Sequence, residues 1–186
     1  CFVDENIVHV EGSIDPIRDI EVVETELLLK DMETVEKRFD KSKKMARSGN
    51  KEAIAEAALL GRLDAHINEG NPARTFEYDK METDIFKGLC LLTAKPVLYV
   101  TNVDEDSVVE GNDMVETVKA YAAKVGARTA IISAAIESEI AELEEDEKAE
   151  FLEGLGLEES GLDRLSREGY ALLGLKTYFT AGVKEV

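Results

Sequence analysis

Two apolar runs separated by one amphipathic helix constrain the fold of this chain more than any other feature. The runs PVLYVT (96–101) and ARTAIIS (127–133) are short and rich in β-branched residues, as buried strands are. The helix predicted between them, over 112–125, carries apolar residues on one face: Met114, Val115, Val118 and Ala122. Strand, helix and strand in this order predict a parallel sheet with a crossover helix, so the fold class is α/β.

A pair of helices is predicted ahead of this unit. Residues 20–46 repeat apolar side chains at helical and heptad spacing: Leu28, Met32, Val35, Phe39 and Ala46. After a turn at residues 48–50, a second helix begins at Lys51 and ends before Gly70. Two long helices joined by a tight turn predict an antiparallel helical hairpin, packed as a coiled coil and inserted between pieces of the α/β domain.

The remaining segments complete a division of the chain into four parts. Further helices are predicted over 78–92 and over the very acidic stretch 137–153, and the last ten residues, TYFTAGVKEV, have strand character. We divide the chain into part of the α/β domain (1–19), the helical hairpin (20–75), a second part of the α/β domain (76–176) and the start of another domain (177–186).

Charge and composition narrow the classes of partner. The formal net charge of the 186 residues is −18, which argues against a surface that coats DNA or an anionic membrane. Cys1 and Cys90 have neither metal nor disulfide spacing, which suits a reducing cytoplasm, and the apolar context GLCLL predicts a buried thiol at Cys90. Because the chain opens on CFVDENIVHV, with the pattern of a strand already in progress, we expect it to be a fragment.

Asn102 is the first candidate site residue. It follows the strand 96–101, and ligands of open α/β sheets bind beyond the carboxyl ends of the strands. An Asn there offers an amide donor and a carbonyl acceptor to a planar heterocycle. The alternative is a turn residue whose side chain bonds its own backbone, the commoner role of Asn after a strand.

The second strand ends in Ser133-Ala134-Ala135, and small residues there let backbone amides approach a ligand ring closely. Together the two strand ends resemble the base-recognition half of P-loop nucleotide hydrolases, whose usual signature is Asn-Lys-x-Asp. This chain has Asn-Val-Asp-Glu at 102–105, so the Lys is missing and the acid is one methylene longer. A longer carboxylate does not keep the bidentate geometry to guanine, so we expect adenine to be accepted.

Several long stretches resemble the YchF/Obg-like ATPase family. They are DENIVHVEGSIDPIRDIEVVETEL, ARSGNKEA, AKPVLYVTNVDED, SAAIESEIAELEEDEKAEFLEGLGLEESGLDRL and GYALLGLKTYFTAGVKEV. The resemblance implies part of a P-loop NTPase-type sheet of the translation-factor class, a coiled-coil insertion and a TGS domain beginning at 177–186. It also implies hydrolysis of ATP with Mg²⁺, weaker use of GTP, and binding to ribosomes.

The resemblance also assigns roles at the two strand ends. Asn102 would bond the adenine edge, Val103 would contact the base beside it, and Glu105 would point away from the base. The base pocket would be closed by Ser133, Ala134 and Ala135.

The phosphate-binding part of such an enzyme has no counterpart in the printed sequence. No G-x-x-x-x-G-K-[ST] motif occurs in it, and neither does the Asp-x-x-Gly segment that holds Mg²⁺. We therefore expect no catalytic residue and no metal ligand in this chain, Mg²⁺ held by residues outside it, and no hydrolysis by this chain alone.

The turn of the hairpin is basic. Its candidate contacts to ribosomal RNA are Lys41, Lys43, Lys44, Arg47 and Lys51, which contrast with the acidic remainder of the chain. The alternative is the solvated face of a surface helix. A rival for the whole chain is a non-enzymatic interaction module, in which the hairpin binds a partner and the α/β part is its platform.

Overall fold

The computed structural model describes residues 1–3 and 12–179. Its internal contacts group the chain into two compact units. One spans Arg18–Pro96, and the other combines Cys1–Ile17 with Val97–Val186. We refer to them as the helical unit and the α/β unit.

Two helices joined by a tight turn form most of the helical unit. They are α1 (Pro16–Ala46) and α2 (Lys51–Asn68), and Asn50 caps α2 by accepting a hydrogen bond from the Ala53 amide over 3.0 Å. Ser42 of α1 donates to Glu56 of α2. Phe39, which precedes Ser42 in α1, lies against Gly61, which follows Glu56 in α2. The two helices therefore run in opposite directions. Coiled-coil packing along their length stays a prediction.

The core of the helical unit draws on more than the two helices. The chain continues through 3₁₀ turns at Ala73–Thr75 and Lys80–Glu82 into α3 (Thr83–Gly88). The buried apolar side chains of this unit form one cluster: Val35, Leu59, Leu60, Leu63, Ile67, Ala73, Phe86 and Leu91. Residues 76–96, which the sequence-based division assigned to the α/β domain, therefore pack on the helical pair, because they supply part of its core.

A buried carboxylate fixes the segment that follows α3. Asp31 of α1 is 2% exposed. Its Oδ1 accepts from the Leu92 amide over 2.8 Å, and its Oδ2 accepts from both the amide and the hydroxyl of Thr93 over 2.7 Å. These bonds hold residues 92–93 in an irregular conformation, and Cys90 has a positive φ of 51°. The helix predicted over 78–92 is thus confined to α3, and the prediction of a buried Cys90 is wrong, since its side chain is exposed.

The α/β unit contains a two-stranded parallel sheet, as predicted. Its strands are β1 (Leu98–Asn102) and β2 (Arg128–Ile132), paired in register from Leu98 opposite Arg128 to Asn102 opposite Ile132. The crossover helix α4 (Asp113–Val125) is capped by Asn112 and ends at Gly126, whose φ of 67° favours glycine. A 3₁₀ turn at Glu105–Ser107 follows β1.

The acidic stretch after β2 is not one helix. The helix predicted over 137–153 is replaced by α5 (Ala134–Glu142) and α6 (Glu145–Gly154), because Leu143 and Glu144 adopt extended conformations. Glu144 then caps α6 through a capping box with Glu147, a role that Ser, Thr or Asp would have signalled more clearly in the sequence.

One further helix, α7 (Gly161–Leu172), was missed by sequence reasoning. Its signal is Ser160, whose hydroxyl accepts from the Asp163 amide over 3.0 Å. The helix packs on β2 and carries the Arg128–Glu168 ion pair, whose N–O distance is 2.8 Å.

Two predictions fall partly outside the described residues, which omit 4–11 and 180–186. The strand end expected near the start of the chain lies mostly in the first gap. The TGS-like start at 177–186 lies mostly in the second, and residues 177–179 form no regular element. Among the helices of the described part, none is long and apolar enough to cross a membrane.

We expect Asp31→Asn to destabilise the helical unit by about 2–3 kcal/mol, because an amide nitrogen would replace an acceptor that faces buried N–H groups. Urea denaturation measures the loss. Asp40→Asn, at an exposed position of α1, is the matched control and should leave the midpoint unchanged. Equal midpoints for both variants would contradict the account.

Glu56 gives the helical unit a pH-dependent contribution. Burial alone would raise the pKa of its carboxyl, but hydrogen bonds from Ser42 and Arg38 outweigh it and hold the pKa below the ordinary value of 4.5. A carboxyl whose pKa is depressed on folding stabilises the fold above its unfolded pKa and loses that contribution as the pH falls through the folded pKa.

Wild type should therefore be more stable than Glu56→Gln at neutral pH, with a difference that shrinks as the pH falls below 4.5. Urea unfolding at several pH values measures it. Glu36→Gln, at an exposed position of α1, serves as the control. A gap between wild type and Glu56→Gln that does not narrow in acid would refute the role of Glu56.

Candidate nucleotide-base site

The ends of the two strands meet at one edge of the sheet. Asn102 lies opposite Ile132 in the register, and its side-chain Oδ1 accepts a hydrogen bond from the amide of Ala134 over 2.9 Å. The ladder continues one residue further, since the Val103 amide donates to the Ile132 carbonyl over 2.9 Å. Asn102 and the Ser133-Ala134-Ala135 turn are therefore direct neighbours.

Asn102 caps α5 from the neighbouring strand. Ser133 occupies the N-cap position of α5, but its side chain makes no capping bond, and Asn102 Oδ1 takes the first amide of the helix instead. Because Ala134 N–H is a donor, the oxygen of Asn102 must face it, and this fixes the orientation of the side-chain amide. Its Nδ2 then has no hydrogen-bond partner among residues 1–3 and 12–179.

The first turn of α5 presents backbone donors beside Asn102. The Glu137 amide donates to the Ser133 carbonyl over 3.0 Å, which begins the helical ladder. The Ala135 amide, two residues before the first amide of that ladder, has no acceptor within the described part of the chain. Ala134 and Ala135 are exposed and Asn102 is partly exposed, so the two strand ends meet at an accessible edge.

Two of the predicted site residues have buried side chains. Val103 is 2% exposed and belongs to the apolar core formed with Val115 and Ile136, so only its backbone could contact a base. Ser133 is 0% exposed, and its hydroxyl has no hydrogen-bond partner in the described residues. The side chain of Ser133 therefore lies beneath the strand ends rather than at their surface.

The acidic residues after Asn102 serve the turn that follows β1. Asp104 Oδ1 accepts from the Ser107 amide over 2.9 Å and so caps the 3₁₀ turn. Glu105, the position that corresponds to the guanine-reading Asp, is the first residue of that turn and is exposed. The described residues contain no group of three or more His, Cys, Asp or Glu placed to hold a metal ion.

Sequence reasoning missed the contacts that Cys1 and Glu137 make near this edge. The backbone nitrogen of Cys1 donates to the Asn102 carbonyl over 2.8 Å, and the Cys1 carbonyl accepts from the side chain of Asn112 over 2.8 Å. In addition, Glu137 bonds the first amides of α7. The capping signal Ser160-x-x-Asp163 indicates the start of α7 in the sequence. No sequence pattern indicates that Glu137 binds the first amides of this helix.

The basic residues at the hairpin turn lie in the helical unit. All five are exposed: Lys41, Lys43, Lys44, Arg47 and Lys51. None forms an ion pair with another described residue within 4.0 Å, whereas Arg38 pairs with Glu56 and Arg62 with Glu82, each at 2.5 Å. Lys43 lies over the Phe39 ring, with its Nζ 3.5 Å from the ring centroid.

Known proteins are similar to this chain over its whole length. A protein of Bacillus subtilis described as the ribosome-binding ATPase YchF is 50% identical over 188 residues, and one of Haemophilus influenzae with the same description is 46% identical over 186 residues. Each alignment covers 100% of this chain and 51% of the relative, so the chain spans about half the length of these proteins. No protein-family model matches the chain.

A solved structure supports the same relationship. The chain of the Schizosaccharomyces pombe YchF GTPase superposes with a TM-score of 0.84 over 97% of this chain and 50% of its own length, at 33% identity. Sequence and fold thus agree over nearly every residue, and the resemblance of this chain to the YchF family is confirmed over its whole length.

Proposed function

We propose that this chain forms the base-binding part of a ribosome-associated nucleotide hydrolase that uses ATP in preference to GTP. The observation that carries the proposal is the hydrogen bond from Ala134 N–H to Asn102 Oδ1, which brings both strand ends to one accessible edge. The relatives described as ribosome-binding ATPases support the class of protein.

The geometry offers a donor that suits either purine and lacks the acceptor that guanine selectivity needs. Asn102 Oδ1 is occupied by Ala134, so the side chain presents the donor Nδ2, which suits the N7 acceptor that adenine and guanine share. Guanine needs a carboxylate for its two edge donors. Asp104 is used by the Ser107 amide, and Glu105 is the longer acid, so neither offers the bidentate contact that guanine selectivity requires.

The phosphates and the chemistry belong elsewhere in this proposal. The printed sequence contains no phosphate-binding G-x-x-x-x-G-K-[ST] motif, so no lysine of such a loop neutralises the phosphates. Residues outside the chain would hold Mg²⁺ and carry out hydrolysis. This chain alone should bind nucleotide weakly and turn none over, and the whole protein should work in the cytoplasm, where ribosomes translate.

The hairpin turn supplies the ribosome contact in this account. Five exposed cations without ion-pair partners in the described part of the chain form a local positive patch on a polypeptide of net charge −18. Such a patch suits the phosphate backbone of ribosomal RNA, and its binding should weaken steeply with salt.

The basic patch at the hairpin turn is also consistent with a second function. In an interaction module without a catalytic cycle, the hairpin would bind its partner and the α/β unit would be a platform. The two functions differ in one respect: a nucleotide-coupled protein binds ribosomes with an affinity that changes between ATP and ADP, and a simple module does not.

Asn102→Asp should weaken adenosine binding about tenfold, because it keeps the acceptor for Ala134 N–H but removes the Nδ2 donor. Adenosine is the probe because it isolates the base from the phosphates. Titrations followed by the backbone amide signals of Ala134 and Ala135 give the affinity, and guanosine should bind more weakly than adenosine to wild type.

Asn68→Asp, which makes the same change at the end of α2, is the control and should bind adenosine like wild type. Adenosine affinity that is equal in Asn102→Asp and wild type, or tighter binding of guanosine, would contradict the base site.

Reversing the charge of Lys43, Lys44 and Arg47 to Glu should lower ribosome affinity at least tenfold and flatten its dependence on salt by about one unit of slope per lost phosphate contact. Co-sedimentation with ribosomes across a salt series measures both. The control reverses Lys119, Lys124 and Lys148 in the α/β unit, for the same change in net charge. If both triple variants bind alike, the hairpin turn is not the contact.

A further inference from the structure

The carboxylate of Glu137 joins α5, the helix that begins at the base site, to α7, and we call this contact the joint. Glu137, in the first turn of α5, accepts from the Gly161 amide through Oε1 over 2.6 Å and from the Leu162 amide through Oε2 over 3.3 Å. Both amides belong to the start of α7, where backbone donors lack helical partners and a negative charge is favoured. Each oxygen of Glu137 therefore satisfies a donor that would otherwise need water.

The contact between Glu137 and the start of α7 leaves little space for a side chain at Gly161. A Cβ there would lie 2.8 Å from Glu137 Oε1 and 3.0 Å from Ile132 Cγ2, and Gly161 is buried. The first turn of α7 is thus pressed against both the end of β2 and the first turn of α5. A larger residue at Gly161 would displace the Glu137 carboxylate and require Ile132 to shift by a few tenths of an ångström.

The joint and the base site share the same short stretch of backbone. Ile132, which contacts Gly161, is the residue opposite Asn102 in the sheet register. The Glu137 amide closes the first α5 turn onto the Ser133 carbonyl, directly beside Ala134. A shift of Glu137 would consequently move the amide that Asn102 caps.

We propose that Glu137, together with the close contact at Gly161, is a positioning residue for base binding. It holds the first turn of α5 so that the Ala134 amide meets Asn102 Oδ1 and the Asn102 Nδ2 faces an adenine base. The ligand class rests on the proposed function. The positioning of Ala134 does not, because it concerns the chain without any ligand.

The alternative is that Glu137 only attaches α7 to the rest of the unit and does not position the base site. A second contact of α7 provides a matched control. Arg128 and Glu168 also tie β2 to α7, with an N–O distance of 2.8 Å. Arg128 is the first residue of β2, opposite Leu98, whereas the base site lies at the other end of the strands. Loosening α7 at Glu168 removes the same type of carboxylate without touching the α5 turn.

The experiment compares Glu137→Gln, Glu137→Ala and Glu168→Gln with wild type. Hydrogen exchange of the Ala134 amide is measured first, without ligand. It should become about 3- to 10-fold faster in Glu137→Ala, with Glu137→Gln intermediate because Gln keeps one acceptor oxygen, and stay unchanged in Glu168→Gln. Adenosine affinity should fall in the same order. Gly161→Ala should also speed exchange of the Ala134 amide and lower the adenosine affinity.

The outcomes separate the two claims. Unchanged Ala134 exchange in the Glu137 variants, or equal acceleration in Glu168→Gln, overturns the positioning role. If wild type fails to bind adenosine while Ala134 exchange responds as expected, the joint stands and the base site falls. If Glu137→Ala fails to fold, Glu137→Gln and Gly161→Ala decide the matter by the same readouts.

Discussion

One hydrogen bond, from the Ala134 amide to the side-chain oxygen of Asn102, organises the candidate base site. It performs two tasks. It satisfies the first orphan amide of α5, which Ser133 leaves uncapped, and it fixes which end of the Asn102 amide faces solvent. Because Oδ1 of Asn102 is already hydrogen-bonded, its Nδ2 donor points in a defined direction. A base would therefore meet a preorganised donor.

Buried side chains and a contact between helices support this hydrogen bond. The buried side chains of Val103 and Ser133 lie beneath the edge, and Glu137 connects α5 to the start of α7. The site is therefore made mainly of backbone groups held by packing, with Asn102 as the main polar side chain at its surface. In the proposed function, these residues would select the base, and other residues would carry out the chemistry at the phosphates.

Much of this architecture could be predicted from the sequence. The apolar runs at 96–101 and 127–133, with an amphipathic helix between them, were sufficient for a parallel pair of strands, and Asn102 was singled out as a residue at a strand end. The sequence could not show the tertiary hydrogen bonds of Asp31 to residues 92–93, where a helix was predicted. The cap that divides the other predicted helix is local, but it uses Glu144, a residue type that is not among the preferred caps. The burial of Val103 and Ser133 was missed because facing direction at a strand end depends on the neighbouring elements.

The most direct test of the central claim is the pattern of nuclear Overhauser contacts from bound adenosine. The account predicts contacts from the adenine H8 proton, which neighbours N7, to the Asn102 side-chain amide protons and to the Ala135 methyl group. Contacts only to residues of the helical unit, with none to Asn102 or Ala135, would contradict a purine site at the ends of these two strands.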